Sequence, residues 1–462
     1  MSRWGRAAAG ARAAAGARAA AGPRAWRWSY DEHGHARLTP PWARASGLVV
    51  VAAAMATLAV GAGLAGCSSS PPTIHLGAVY PVRGGYGPDG VDEWRGAQLA
   101  VERINVLGGV HGKRVTLDLK DAESPDAAPA AFDQLRAAGI NVVLGTHQSV
   151  LSTTAAVAAS RRGQLLWETG AVGETTAAMD PGRSFFRLAP MGANLGGAAV
   201  SFVSDELDHR LPPHGPLRYA VTYVNDAYGR AVGQGALDQI GAAGQILAGS
   251  FPYPPGTTDF TQVVASLAAA KPDVLVVSAY LEDGVALRRA TVTAHVPLLA
   301  SIGTSSSYCM PAFGAQLGRD AVGLFASDKP DGQVIRPDAL LPEARQELAW
   351  ARAQFQSRWH AEMSAAALAG FANTWALVDH VLPRASSLTA TGVASAALTT
   401  KLAIGSLANG SGLDLAPPGA PDAGANRGAA SVIWEWVAPG QRAVVWPPAF
   451  ATTDISVVPI SS

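Results

Sequence analysis

Ile74-His75-Leu76-Gly77-Ala78-Val79-Tyr80 opens the folded part of this chain, and its setting decides the architecture. Seven mostly apolar residues ended by Pro81 read as a short buried strand. Residues 81–90 form a glycine-rich loop. Then Trp94, Ala97, Leu99 or Ala100, Val101 and Ile104 recur at helical spacing, which predicts a helix over 94–107 with one apolar side. Gly108-Gly109 stops it. Residues 114–120 alternate, with Val115, Leu117 and Leu119 apolar, and read as a second strand. Strand, helix, strand is the unit of a parallel sheet covered by helices.

The rhythm continues on both sides of a break. Residues 127–138 read as a helix, 140–144 as a strand, 151–160 as a helix with its N-terminus near Ser149, and 164–167 as a strand. Pro212-Pro213-His214-Gly215-Pro216 interrupts the pattern, which restarts with strands at 217–224, 245–251, 274–278 and 298–302. Helices at 228–242, 260–269 and 284–294 alternate with them. The last third is less regular. It holds a strand at 322–327, helices at 342–360, 366–382 and 387–405, and a Gly/Pro/Asp-rich loop at 408–427. A strand pair at 431–437 and 442–446 turns at Pro439-Gly440. Two successive α/β units predict two lobes. Ligands bind such sheets outside the carboxyl ends of their strands, so facing lobes define a cleft.

The N-terminal segment differs in character. Residues 1–66 carry eight arginines against Asp31 and Glu32, a net +6. The whole chain is neutral, so residues 67–462 carry −6. An apolar run from Gly47 to Gly66 ends in Leu64-Ala65-Gly66-Cys67. A positive stretch before an apolar core is an export signal, and the four-residue end resembles the lipobox of a bacterial lipoprotein. The expectation is a signal peptide at 1–66 with an extended Arg/Ala-rich start, lipid on Cys67, and a flexible tether at 67–72. The run also reaches spanning length, so an N-terminal membrane helix is the alternative. Nothing beyond residue 66 is strongly basic, which argues against nucleic-acid binding. Cys309 has no partner if Cys67 is lipidated, so no disulfide framework is expected. No Walker loop, zinc cluster or nucleophile elbow occurs.

Several motifs between residues 74 and 305 together resemble the type I periplasmic binding proteins of the branched-chain amino acid group. They are Pro81, Gly84, Tyr86-Gly87, Gly96-Ala97-Gln98-Leu99-Ala100, Ile104-Asn105 with Gly108-Gly109-Val110 and Gly112, and Asp121. Tyr223, Asp226 with Tyr228-Gly229-Arg230, Tyr253-Pro254-Pro255-Gly256-Thr257-Thr258-Asp259-Phe260 and Lys271-Pro272-Asp273 continue the series. Trp434, Trp436 and Trp446-Pro447-Pro448 match the closing strands more loosely. The resemblance implies an α/β, two-lobed type I periplasmic binding protein fold, each lobe a parallel-sheet three-layer α/β/α sandwich. It implies three crossovers, with one lobe at 73–191 plus about 330–400 and the other at 192–329 plus about 401–462. It implies a monomeric, cofactor-free, non-enzymatic receptor on the extracytoplasmic face of the membrane. Its partners are a small polar solute and an ABC permease with its ATPase. A sensory module of the same fold, signalling to a partner, is the competing expectation. An enzyme is a weaker third, since His75, His111 and His147 are scattered without a nucleophile.

The resemblance also supplies site candidates. Tyr86 and Tyr228 match aromatics that cover the ligand from the two lobes. Gln148 and Ser149 stand before a helix, where free N–H groups and a hydroxyl suit a carboxylate. Gly170, Ala171 and Val172 match a segment that holds an α-ammonium, with Val172 in place of a common threonine. The loop Gly303-Thr304-Ser305-Ser306-Ser307-Tyr308, with Ser305 as its contact, lacks the acidic residue that amino acid receptors place there. An ammonium buried without a counter-charge is costly. Glu168 is the candidate substitute, with Glu282 and Asp283 as further acids. The expected ligand is an amino acid held differently, an amide, a urea-like compound or a small carboxylate.

Overall fold

A computed structural model of the protein describes residues 73–83, 87–332 and 334–460, together with two short strands at Arg27–Tyr30 and Ala36–Thr39. Those two strands pair antiparallel within a unit that ends at Ser68; the rest forms a second unit from Ser69 to Ser462. The apolar run at 47–66, Cys67, the tether to residue 72, and Tyr86 lie outside the described residues. No helix among the described residues is long and apolar enough to cross a membrane.

The first sheet is built from β1 (Thr73–Tyr80), β2 (Arg114–Asp121), β3 (Val142–Gly145), β4 (Leu165–Glu168) and β5 (Phe185–Arg187). Their order is β2-β1-β3-β4-β5, all parallel. Between them run α1 (Gly87–Val106), α2 (Ala128–Ala137) and α3 (Ser149–Arg162). Helix α1 begins seven residues before its predicted start. Pro88 in the first turn has no N–H to leave unpaired, and Asp89 there faces the positive helix end. Val79, Val143, Leu166, Phe132 and Leu151 fill one face of the sheet, while Leu76, Ala78, Leu144 and Trp167 fill the other.

After α4 (Gly192–Phe202) the second sheet takes β6 (Arg218–Val224), β7 (Ile246–Tyr253), β8 (Val274–Ser278), β9 (Ala300–Thr304) and β10 (Phe325–Asp328). Helices α5 (Ala227–Ala242), α6 (Thr261–Ala270), α7 (Leu281–Thr293) and α8 (Pro311–Leu317) lie between its strands in sequence. The chain then returns to the first sheet's side with α9 (Pro342–Trp359) and α10 (Ala365–Trp375). Arg103 of α1 bonds Glu347 of α9 through both its Nε and Nη2, at 2.7 and 2.9 Å. Every residue of α10 from Ala366 to Trp375 is buried, as expected of a helix apolar all round. The predicted helix at 387–405 shortens to α11 (Ala390–Thr399), followed by the small pair β11 (Lys401–Leu402) and β12 (Leu413–Asp414).

The predicted hairpin forms as β13 (Val432–Ala438) and β14 (Gln441–Trp446). It completes a seven-stranded order β14-β13-β10-β9-β8-β6-β7. Because β13 runs antiparallel to β10, this sheet is mixed rather than purely parallel. One boundary also differs from the expectation that residues beyond 400 join the second lobe. Arg187 N donates to Gly424 O, and Asn426 N to Arg187 O, so this stretch edges the first sheet. Asn426 holds it there by accepting from the N–H groups of Asp414 and Gly428 and donating to Gly412 O. The chain rejoins the second sheet at Val432.

Candidate functional site

The carboxyl ends of β3 and β4 carry two loops that one residue organises. Glu168 is fully buried and accepts six hydrogen bonds. The donors are the N–H groups of Thr146, His147, Gly170 and Ala171 and the hydroxyls of Thr146 and Ser152. Both oxygens are consumed, and the side chain does not line the cavity between the sheets. The expectation that Glu168 supplies a ligand counter-charge is therefore corrected: it is the tie between the loops 145–149 and 169–172. Its donors meet it because the parallel pairing of β3 with β4 puts Gly145 opposite Glu168. Glu282 and Asp283 also lie elsewhere, accepting from Gln316 and Tyr253.

The cavity between the two sheets measures about 80 Å³, room for roughly half a dozen waters or a small solute. Gln148, Ser149, Gly170 and Val172 face it from the first sheet's side, Tyr228 and Ser305 from the second. Ala171 is buried behind the wall with its N–H on Glu168. Gln148 caps α3 by position, yet its side chain makes no capping bond. The first N–H groups of a helix have no partner inside it. Asp226 caps α5 by accepting from Tyr228 N and Gly229 N, which sets the Tyr228 ring in the wall. The Tyr228 hydroxyl lies 3.0 Å from Thr304 Oγ1 and accepts from Ser306 N, and its ring leans on Tyr280 at 5.3 Å.

The charged wall went unread in the sequence. Asp89, His147, Asp328, Lys329, Asp331 and Arg442 all face the cavity. Asp328 and Lys329 stand just past the carboxyl end of the predicted strand 322–327, where the strand-end rule points. The acid missing from residues 303–308 thus has a counterpart at the end of the next strand. Lys329 Nζ donates to Gly170 O at 3.1 Å, so the carbonyl expected to receive a ligand ammonium already has a cation of the chain on it. Arg442 pairs with Asp331 and donates to the Cys309 carbonyl. Cys309 donates its thiol to Asp328 Oδ2 at 2.8 Å. Burial, and then the Asp328 carboxylate, push that thiol well above its ordinary range, so it is a poor nucleophile.

His147, left without a partner in the sequence reading, has two. Its Nδ1 lies 2.6 Å from Glu93 Oε2 and its Nε2 3.7 Å from Asp89 Oδ2. Asp89 and Glu93 are one turn apart on α1, a spacing that puts both on one face. Thr169 also donates to Glu93, and Tyr80 lies 2.8 Å from the Thr169 hydroxyl. Burial lowers the His147 pKa, but Glu93 and Asp89 outweigh it and raise the ring to about 9. Burial likewise raises Asp89, and His147 and Lys329 overcome it to hold the carboxyl below its usual value. A raised histidine contributes stability that is complete below its unfolded pKa of about 6.5 and is lost as pH rises through about 9. Thermal melts between pH 6 and 10 should therefore show stability falling in that window. The expected loss is about 3 kcal/mol. His147→Gln should flatten the slope; an equal slope in that variant would contradict the assignment.

Among the described residues no group of three or more His, Cys, Asp or Glu is arranged to hold a metal ion. The arrangement is one of paired charges and hydrogen-bond donors without an activated nucleophile.

Comparison with known proteins agrees with the architecture. A Leu/Ile/Val-binding protein homolog of Brucella abortus is 27% identical over 262 residues, 55% of this chain and 64% of that protein. The aligned stretch thus spans less than two thirds of that relative. Among solved structures, an isoleucine complex of a branched-chain amino acid transporter substrate-binding protein from Streptococcus pneumoniae superposes with a TM-score of 0.63. It is 18% identical and covers 81% of this chain and 100% of that one. A solute-binding protein of R. palustris in complex with benzoate gives 0.63 at 15% identity, covering 84% and 99%. At these identities the superpositions establish the bilobed α/β fold. The profile of the family described as periplasmic binding protein matches residues 73–411. The chain belongs to that family.

Proposed function

We propose that this protein captures a small polar solute between its two lobes outside the cytoplasm and delivers it to an ABC permease and its ATPase. The observation that carries this reading is the cavity faced by Gln148, Ser149, Gly170 and Val172 from one sheet and by Tyr228 and Ser305 from the other. A ligand there bridges both lobes, so binding favours a closed arrangement by hinge motion at the crossovers. The closed form is what a permease can distinguish from the empty one. The solute is an amino acid or a related small polar compound. Relatives of this fold are described with isoleucine and with benzoate, which supports a site whose wall residues, not its fold, set the ligand. The chain performs no covalent chemistry in this reading. It is held at the membrane by lipid on Cys67, after removal of residues 1–66.

A thermal-shift screen of amino acids, small carboxylates, short amides and urea on the mature protein tests the capture step, since a ligand of the folded state raises its melting temperature. Ser149→Ala and Tyr228→Ala should each weaken the responding ligand by about tenfold or more, equivalent to roughly 1.4 kcal/mol. Unchanged affinity in both variants, on folded protein, would place binding elsewhere. The anchor is tested separately. Mass spectrometry of membrane-extracted protein should recover no peptide from residues 1–66, and Cys67→Ala should leave an uncleaved precursor with unaltered affinity.

A further inference from the structure

The residue where the folded lobe begins lies at the end of the first sheet away from the cavity. Thr73 opens β1, and Val79 pairs with Gly145 at the cavity end, six residues and about 20 Å along the strand. Cys67 in turn stands six residues before Thr73, and six links of chain reach no more than roughly 20 Å. Thr73 pairs with Arg114, so the turn that joins α1 to β2 stands beside it. That turn is firmly held. The Asn105 side chain bonds both the N–H and the carbonyl of Val115 at 2.8 Å, Gly109 N donates to Ile104 O, and Val110 and Lys113 exchange two backbone bonds at 3.0 Å. His111 Nε2 lies 2.9 Å from Pro383 O and ties the tip to the segment after α10. From this turn Val106 and Leu107 project at 66% and 55% exposure, Val106 being the most exposed large apolar side chain among the described residues. Lys113 and Arg114 are exposed in the same turn, and neither forms an ion pair with a carboxylate of the described residues. A single exposed apolar residue is ordinary. Two in succession, with two unpaired cations, on a fixed turn within reach of an acyl anchor are the elements of a membrane-surface contact.

We propose that the turn at 106–114 rests on an anionic lipid surface when the protein is anchored. Val106 and Leu107 enter the boundary between headgroups and acyl chains, and Lys113 and Arg114 meet the headgroup anions. The inference rests on the reading that Cys67 carries lipid, and adds where the anchored receptor touches its membrane. The consequence is an orientation. The cavity sits at the far end of the lobe, so the docked receptor opens its cleft toward the surrounding medium, where solute arrives. Delivery to a permease then requires the turn to lift off. A contact of two apolar side chains and two cations is small enough to exchange, unlike the acyl anchor that keeps the protein nearby.

The test uses the lipidated, membrane-extracted protein on two kinds of vesicle: equal parts phosphatidylcholine and phosphatidylglycerol, and phosphatidylcholine alone. Cys309 is buried and Cys67 is consumed by lipid, so Leu107→Cys offers one reactive thiol for a polarity-sensitive fluorophore. Leu247→Cys, near the start of β7 and 47% exposed, gives the control on the other lobe. On the anionic vesicles the label at 107 should shift to the blue and be shielded from an aqueous quencher, whereas the label at 247 should not. Replacing Lys113 and Arg114 together by Gln, or omitting phosphatidylglycerol, should lower the docked-to-free ratio at least about tenfold. Val106→Ser should lower it by the same readout. Equal quenching at 107 and 247, or shielding at 107 that ignores both the two cations and the lipid charge, would overturn the proposal. Shielding that rises with protein concentration in the absence of vesicles would assign the turn to a contact between copies, and overturn it too. The anchor reading fails in a different way. Protein that does not float with vesicles and carries no lipid on Cys67 removes the anchor and the docking together, whereas floating protein with an exposed turn removes only the docking.

Discussion

Replacing Glu168 by alanine is expected to destabilise the protein by about 3–5 kcal/mol, because several buried donors lose their common charged acceptor at once. The side chain accepts four backbone N–H groups and two hydroxyls from the ends of two loops. Each hydrogen bond to a charged acceptor contributes about 1.5–3 kcal/mol, and a buried donor left without a partner costs nearly as much. These contributions are not additive, because the loops relax together. Arg187, buried nearby, adds to the effect: burial lowers its pKa to about 10 while the Glu168 charge supports it. Glu168→Gln is also expected to destabilise, since one amide nitrogen would point hydrogens at groups that are themselves donors. Urea unfolding of the mature protein measures both. A loss below about 1 kcal/mol in the alanine variant would show that the loops do not depend on this carboxylate. Affinity for a cavity ligand should fall with stability, because His147 and Gly170 are positioned through Glu168.

Gly96→Ala should be nearly as damaging, for a steric reason. A Cβ at this position would stand 2.0 Å from Ala367 O and 2.7 Å from Phe371 N of α10. Gly370 on the facing helix has the reciprocal problem, with its Cβ 2.0 Å from Glu93 O. The obstacles are backbone atoms, so no rotamer change relieves them, and the helices must separate. Overpacking of this kind costs about 1–3 kcal/mol and sometimes more. The control is Gly197→Ala, also in a helix, where the nearest atom is 3.8 Å away. There the better helix propensity of alanine should leave stability unchanged or raise it by up to about 1 kcal/mol. Because α1 carries Asp89 and Glu93, Gly96→Ala should also weaken the pH dependence assigned to His147. Equal stability of the Gly96 and Gly197 variants would contradict the close approach of α1 and α10.

The sequence made these two features legible to different degrees. The alternation of apolar strands and amphipathic helices is local, and it located most elements from β1 to β9, but it gave no sign of β5 or α4 and started α1 seven residues late. The Gly96-Ala97-Gln98-Leu99-Ala100 run was recognised as a motif, but its first glycine owes its identity to α10, some 270 residues later. The same distance problem governed the site. Gln148, Ser149 and Gly170 were legible because strand ends and helix starts carry their own signals. Lys329, Asp328 and Arg442 were not: the first two stand at the end of β10 and just past it, Arg442 lies on β14, and only the tertiary arrangement brings them to one cavity. His147 looked isolated because Asp89 and Glu93 lie more than fifty residues before it, in a stretch read partly as loop. Glu168 was placed at a strand end correctly and given the wrong task. A carboxylate there faces either the cleft or the adjacent loops, and only the packing of β3 against β4 decides which.

Hydrogen–deuterium exchange with and without a solute that raises the melting temperature tests most directly whether one ligand joins the two lobes. Exchange should slow in residues 146–151 and 169–173 of one lobe together with 226–230 and 304–309 of the other, since a single ligand between them must quiet both. Protection confined to one of these lobes, or lying outside all four segments, would contradict capture between them.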